Sequence, residues 1–295
     1  MSPLEGILNI DKPDGMTSHD VVNRIRRLAG IRRVGHVGTL DPLATGVLLL
    51  GVGRATRLIE YLVGQPKTYE ATLRLGQTTD TYDTEGTVSE EKPFNHITSS
   101  QFQQALAPFR GPIQQRPPMY SAIKRQGQPL YKLARQGIDV DVPLRPVTIY
   151  ALEMLVWDTP LVHVRAAVSS GTYIRSLAHD LGQALGCGAH LVYLRRESVG
   201  NFGLDTAVPL ADLDESNWQT ALLPSDTAVA HLPRLEATDD EVQQLQQGQH
   251  PPRRADQPTA ALNRAYAPDG RFIGIVTAHE DFLQARKIFY PLDSA

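Results

Sequence analysis

A single cysteine, Cys187, in 295 residues excludes an internal disulfide and leaves no thiolate set for a metal cluster. The nine histidines do not change that, because neither His-x-x-x-His nor Cys-x-x-Cys spacing occurs. No apolar run approaches the roughly 20 residues that a membrane span needs. The opening Met-Ser-Pro-Leu-Glu lacks the basic and apolar regions of a signal peptide. A cytoplasmic protein with no membrane partner is expected. Gly-x-Gly-x-x-Gly is missing, and so is the Lys-Ser/Thr of a nucleotide-binding P-loop, which argues against NAD or ATP.

What is present is ordinary in bulk and uneven in detail. With 41% hydrophobic and 21% charged residues, the chain has the composition of a globular protein. Its length suits one large domain with an appendage, or two unequal domains. The net charge of −3 hides an asymmetry: residues 101–150 carry seven Lys/Arg against two Asp/Glu, and residues 201–250 carry one against nine. A locally basic surface can still meet phosphates, provided the acidic stretch faces away from the nucleic acid.

The densest chemistry lies in Arg33-Val-Gly-His-Val-Gly-Thr-Leu-Asp-Pro-Leu-Ala-Thr-Gly-Val-Leu-Leu-Leu50. Its glycines permit a tightly shaped loop, and that loop holds one imidazole, His36, and one carboxylate, Asp41. Pro42 disfavours helical backbone at Asp41, so the acid stands on an extended or turned segment ahead of an apolar strand. On pattern alone Asp41 reads as a turn or capping residue. Cys187, between Gly186 and Gly188, reads as a small packed residue in a turn.

The string Gly-His-Val-Gly-Thr-Leu-Asp-Pro-Leu-Ala-Thr-Gly resembles the signature of the TruB family of tRNA pseudouridine synthases. Further stretches agree: Asp11-Lys-Pro-x-Gly-x-Thr-Ser18, Lys67-x-Tyr69, Gly171-Thr-Tyr-Ile-Arg175 and the segment from His190 to Gly200. The resemblance implies an isomerase that flips the T-loop uridine out of its stack and converts it to pseudouridine. It places the catalytic set on Asp41, the nucleophile, with Tyr69 and Arg175. His36, Tyr69, Tyr173 and Leu194 would bind substrate. Lys12 would support the active-site loop. The implied partner is the tRNA T-stem-loop, with no cofactor and no metal, and a monomer is expected. Without the resemblance, Tyr69 reads as a core tyrosine, Arg175 as half of a structural salt bridge, Lys12 as solvated and His36 as a loop imidazole bonded to backbone.

Along the chain, a strand from Ile7 stops at Pro13, and Thr17 or Ser18 caps a helix with Val21, Val22, Ile25 and Leu28 on one side. Arg54–Leu62 and residues 99–109 suggest further helices. Lys67–Leu75 alternates as a strand, and Val147–Trp157 with Leu161–Val168 reads as a hairpin. Gly76–Gly86 suits a turn-rich connection. Residues 113–146 interleave cations with Met119, Tyr120 and Tyr131, a pattern suited to phosphates and exposed bases. In the family this region clamps RNA, with Met119, Lys124 and Arg135 as contacts. Arg195 and Arg196 suit structural pairing or phosphate binding. Asp205–Pro233 reads as a helix and loops, Glu241–Gln249 as a helix, and Phe272–Val276 and Lys287–Tyr290 as short strands.

The expected architecture is therefore α/β of the α+β type: a pseudouridine synthase fold whose mostly antiparallel central sheet is flanked by helices, over residues 1–233. A small PUA-like β-barrel over 234–295 would complete it. Two other readings are an RNA-binding folding factor and a hydrolase using His36 and Asp41 with Ser18 or Ser121. The latter lacks any nucleophile-elbow pattern.

Overall fold

A computed structural model describes residues 4–289 apart from Ala122, Gln126 and Asp139. The chain enters through β1 (Gly6–Lys12), buried along most of its length and ended by Pro13. Thr17 is the cap of α1 (Ser18–Ala29): the Asp20 amide donates to its hydroxyl at 3.1 Å, and the Asp20 carboxylate accepts from the Thr17 amide at 3.0 Å. The loop 38–43, opened by Gly38 at φ +64°, connects β2 (Val34–Val37) to β3 (Ala44–Val52). The helix expected over 54–62 forms as a 3₁₀ segment, Gly53–Leu58, and one short α2 (Ile59–Val63). Thr56 accounts for the tighter winding, since its hydroxyl donates to the Gly53 carbonyl at 2.8 Å and accepts from Arg33.

After β4 (Lys67–Leu75), a ribbon of β5 (Gln77–Thr79) and β6 (Val88–Glu91) holds the 80–87 turn. Then α3 (Ser99–Ala105), capped by Thr98, gives way at Pro108 to a 3₁₀ turn. Edge strand β7 (Gly111–Gln115) leads into an excursion carrying β8 (Lys124–Arg125), β9 (Gln128–Pro129) and α4 (Leu130–Arg135). The chain returns through β10 (Arg145–Asp158), β11 (Leu161–Val168), α5 (Ile174–Ala184), β12 (Ala189–Val199), β13 (Phe202–Gly203) and β14 (Val208–Pro209). Because Arg145 pairs with Gln115 and Ile149 with Gly111, both ends of the basic segment belong to the sheet, and only 116–144 leave it.

The central sheet runs β14-β1-β3-β12-β4-β11-β10-β7, with β2 on β3 and β13 on β12. Only β1/β14 and β3/β12 pair in parallel, so the sheet is mostly antiparallel, as expected. Strand β3 shows how it is covered on both sides. Leu48 and Leu50 join the core that contains α1 and α5, and Val47 and Leu49 face a second core with Leu58, Leu62 and Val229.

The α-helix expected within Asp205–Pro233 is not found. The segment holds the short 3₁₀ turns Leu204–Thr206, Leu210–Asp212 and Ser225–Val229 beside β14. Pro209 and Pro224 interrupt any longer helix, and the Asp214 carboxylate takes the amides of Ser216 and Asn217 in a turn of its own. Beyond it, β15 (Arg234–Glu236), α6 (Asp239–Gln246), β16 (Asn263–Tyr266), β17 (Phe272–Ala278) and β18 (Leu283–Ile288) make the strand-rich tail, a four-stranded sheet in that strand order. Tyr290, the expected end of the last strand, lies outside the described residues. The tail is seated on the central sheet: Ile275 and Phe289 enter the second core, and Arg57 donates to the Ile288 carbonyl at 2.8 Å.

Candidate active site

Asp41 sits in the loop between β2 and β3, and that loop is clamped from three directions. Ser18 accepts from the Leu40 amide at 2.8 Å and donates to the Leu40 carbonyl at 3.0 Å. Lys12, fully buried, donates to the carbonyls of Pro13, Met16 and Pro42. From β12, Arg196 donates to the carbonyls of Gly38 and Val47. Gly46 is obligatory beneath it, since its φ is +97° and a Cβ there would stand 2.2 Å from the Arg196 carbonyl oxygen. These contacts fix the backbone before any substrate arrives.

The carboxylate itself is 37% exposed and opens into a cavity of about 510 Å³. Arg175, on the first turn of α5, holds it: Nε lies 3.1 Å from Asp41 Oδ2. The same guanidinium is 3.1 Å from Asp83 Oδ2 and donates to the carbonyls of Thr81 and Tyr120 at 3.2 and 2.8 Å. All three of its nitrogens are therefore engaged, which fixes its orientation as well as its charge. Burial pushes the Asp41 carboxyl above its usual range, Arg175 pulls it back, and Asp83 adds a smaller upward push.

Tyr69, Tyr173, Leu194 and Lys67 line the same cavity. Tyr69 and Leu194 are 7% and 6% exposed, an apolar wall suited to the face of a planar base. Lys67 is lowered to about 8 by burial and donates to the carbonyls of Val63 and Gln65. The arrangement is thus one oriented acid, one fixed cation and an aromatic wall around a nucleotide-sized hollow. Among the described residues no group of His, Cys, Asp and Glu is placed to hold a metal ion.

Residues 26–174 match the family model for the N-terminal domain of TruB family pseudouridylate synthases. Residues 175–230 match that for the C-terminal domain of tRNA pseudouridylate synthase B. The chain belongs to the TruB family. Curated relatives named tRNA pseudouridine synthase B include one from Dehalococcoides mccartyi, 44% identical over 94% of each chain. Another, from Coxiella burnetii, is 43% identical over 92% of this chain and 90% of its own. Among solved structures, a chain of an H/ACA ribonucleoprotein bound to a substrate RNA containing 2′-deoxyuridine aligns with a TM-score of 0.73 at 26% identity, over 98% of this chain and 86% of that one. A chain of a Cbf5-Nop10-Gar1 complex aligns with 0.74 at 29% identity, covering 97% and 85%.

Within this TruB fold the structure gathers Asp41, Tyr69, Tyr173, Arg175 and Leu194 around one cavity and sets Lys12 beneath its loop. His36 is not brought in. It stands on β2 opposite Leu50, outside the cavity lining, with its buried Nδ1 lacking a partner and its pKa lowered by burial. Met119 borders a neighbouring hollow with Tyr82 and Arg116, while the side chains of Lys124, Tyr131 and Arg135 lie outside the described residues. Arg195 pairs with Asp11 at 2.7 Å, and Arg196 is wholly buried with its donors on the Gly38 and Val47 carbonyls, so each has a structural partner.

Two contributors were not legible as such. Asp83, 2% exposed, lies within a segment that suits a turn-rich connection and had no role assigned to it, yet it accepts from Thr81 Oγ1, from the Glu85 amide and from Arg175. Ser18 reads as a helix cap and instead bonds both main-chain groups of Leu40.

Proposed function

We propose that this protein isomerises uridine 55 in the T-loop of tRNA to pseudouridine, with the extruded base held against Tyr69 and Leu194 and Asp41 as the nucleophile. The observation that carries the reading is the Asp41 carboxylate, ion-paired to Arg175 at the mouth of a cavity walled by Tyr69. The names of the relatives agree with it.

The reaction breaks the C1′–N1 bond, turns the detached uracil and joins C5 to C1′. C5 loses its proton and N1 gains one, so atoms balance without electron transfer or an imported group. One ionised carboxylate serves attack at C1′, attack at C6, or assistance of a glycal route. The extrusion costs a few kcal/mol of unstacking, which contacts in the cavity and to the RNA backbone offset. By analogy with the family, Asp41 or Tyr69, both of which line the cavity, accepts the C5 proton. Lys12 positions the loop, Tyr173 lines the cavity beside Arg175, and the excursion over 116–144 supplies RNA contacts through Met119, Lys124 and Arg135. Catalysis belongs to residues 1–233 and added RNA affinity to residues 234–295, in a cytoplasmic monomer that needs no cofactor. His36 props the space that the flipped base vacates.

T-stem-loop RNA carrying tritium at C5 of its uridines tests this. Release of tritium with the strand left intact is the expected result. An intact strand with all tritium retained would leave an RNA-binding role, and cleaved strands would point to a hydrolase.

A further inference from the structure

Arg175 can hold Asp41 only if the first turn of α5 is itself held, and the turn's own sequence does not hold it. The cap position is Tyr173, whose long aromatic side chain makes no capping bond. The anchor comes from another part of the chain. Gln115, the last residue of edge strand β7 and 1% exposed, accepts from the Tyr173 amide through Oε1 at 2.8 Å and donates to the Tyr173 carbonyl through Nε2 at 3.0 Å. A primary amide here copies the pairing of a neighbouring strand, with one donor and one acceptor matched to one residue's main chain. The Tyr173 carbonyl also takes the Leu177 amide at 3.1 Å, so the Gln115 bond reaches the first hydrogen-bonded turn directly.

Two adjacent contacts run the same way. Ser176 donates to the Arg116 carbonyl at 2.8 Å, and Arg175 Nη2 donates to the Tyr120 carbonyl at 2.8 Å. The stretch 115–120 thus brackets the helix start on both sides of the guanidinium, at the point where the basic excursion leaves the sheet.

We infer that Gln115 is a positioning residue for the isomerisation: through the main chain of Tyr173 it sets where Arg175, and hence the Asp41 carboxylate, stands. The inference rests on the isomerase reading above and concerns the chemical step, not RNA affinity. Misplacing a reacting group by about 1 Å costs on the order of 10²-fold in rate.

The test uses the full chain with T-stem-loop RNA under single-turnover conditions, alongside filter binding and thermal unfolding. Gln115→Leu keeps the bulk and loses both bonds; its rate at saturating enzyme is expected to fall roughly 10- to 100-fold, with RNA affinity within about threefold of the parent. Gln115→Glu separates positioning from general loosening. Its carboxylate accepts from the Tyr173 amide but repels the Tyr173 carbonyl, whereas the protonated acid restores both bonds, and burial raises that acid's pKa. The ratio of its rate to the parent's should therefore rise as pH falls, with no such rise for Gln115→Leu. An undiminished rate for Gln115→Leu, a loss confined to RNA affinity, or a pH-independent ratio for Gln115→Glu would each overturn the proposal. The isomerase reading stands or falls separately, on whether the unaltered protein makes pseudouridine.

Discussion

The cleft and the C-terminal sheet use charge in opposite ways. Around Asp41, the cations Lys12, Arg175 and Arg196 are 0%, 6% and 0% exposed, and their donors go to main-chain carbonyls or to acids at named positions. In the tail, Arg234 with Glu236 and Arg271 with Asp269 pair largely in solvent, with Arg254 on the buried Glu241 as the exception, over a small separate core of Leu235, Val242, Leu245 and Ile273. A buried cation that loses one acceptor leaves an uncompensated polar group, so residue type and spacing are both constrained. An exposed pair is replaceable at little cost. The cations of the cleft are buried and bonded to fixed acceptors, and the tail is seated by apolar contact through Ile275 and Phe289 together with the Arg57 bond to the Ile288 carbonyl.

The largest expected effect comes from removing the shared cation. Arg175→Met strands Asp83, which is 2% exposed, and leaves the Thr81 and Tyr120 carbonyls without their donor. Urea unfolding should show a loss of about 3–5 kcal/mol. A midpoint close to the parent's would mean that the cleft charges are no more demanding than those of the tail.

Ser18→Ala comes next. It removes two buried bonds to Leu40 and should cost about 1–2 kcal/mol in the same assay, with a drop in turnover because the loop of Asp41 is freed. Unchanged turnover would show that Lys12 and Arg196 suffice to hold the loop.

Asp180 sharpens the comparison as a half-buried charge on α5 with no hydrogen-bond or ion-pair partner among the described residues, raised by burial to about 6 from 3.8. The folded state holds its proton more tightly than the unfolded chain does. The resulting stabilisation is complete below the unfolded value and lost as pH rises through about 6. Asp180→Asn should therefore be more stable than the parent by on the order of 1 kcal/mol near neutral pH, with the gain vanishing towards about pH 4. Melting curves at both pH values decide this, and an equal gain at both would remove the carboxylate as its cause.

Arg234→Ala should do least. Its partner Glu236 is 59% exposed, so about 0.5 kcal/mol or less is expected, with turnover unchanged. A loss as large as that of Ser18→Ala would erase the contrast between the two regions.

The same contrast explains what could be read from the residues. Asp41, Lys12, Tyr69, Arg175 and Leu194 stand in contiguous motifs, because loop shape and main-chain clamps need particular residues in particular order. Strand β4 was legible from alternation and β11 from its apolar content beside a hairpin turn. Asp83 and Gln115 were not, nor was the bond of Ser18 to Leu40, because the partners lie 92, 58 and 22 positions away, and nothing local marks an acid, an amide or a hydroxyl as half of such a pair. His36 shares the motif with Asp41 yet lies outside the cavity lining, because it is held in β2 opposite Leu50 while Asp41 stands in the loop that follows the strand. The tail's boundaries were readable only approximately, as its short strands and exposed charges set few strict requirements.

Asp41→Asn is the most direct test of the whole account. The amide keeps the shape of the side chain and loses the nucleophile, so single-turnover assays on T-stem-loop RNA should detect no pseudouridine while filter binding shows RNA still held. Product formed at a rate near that of the unaltered protein would contradict the account and move the chemistry to another residue.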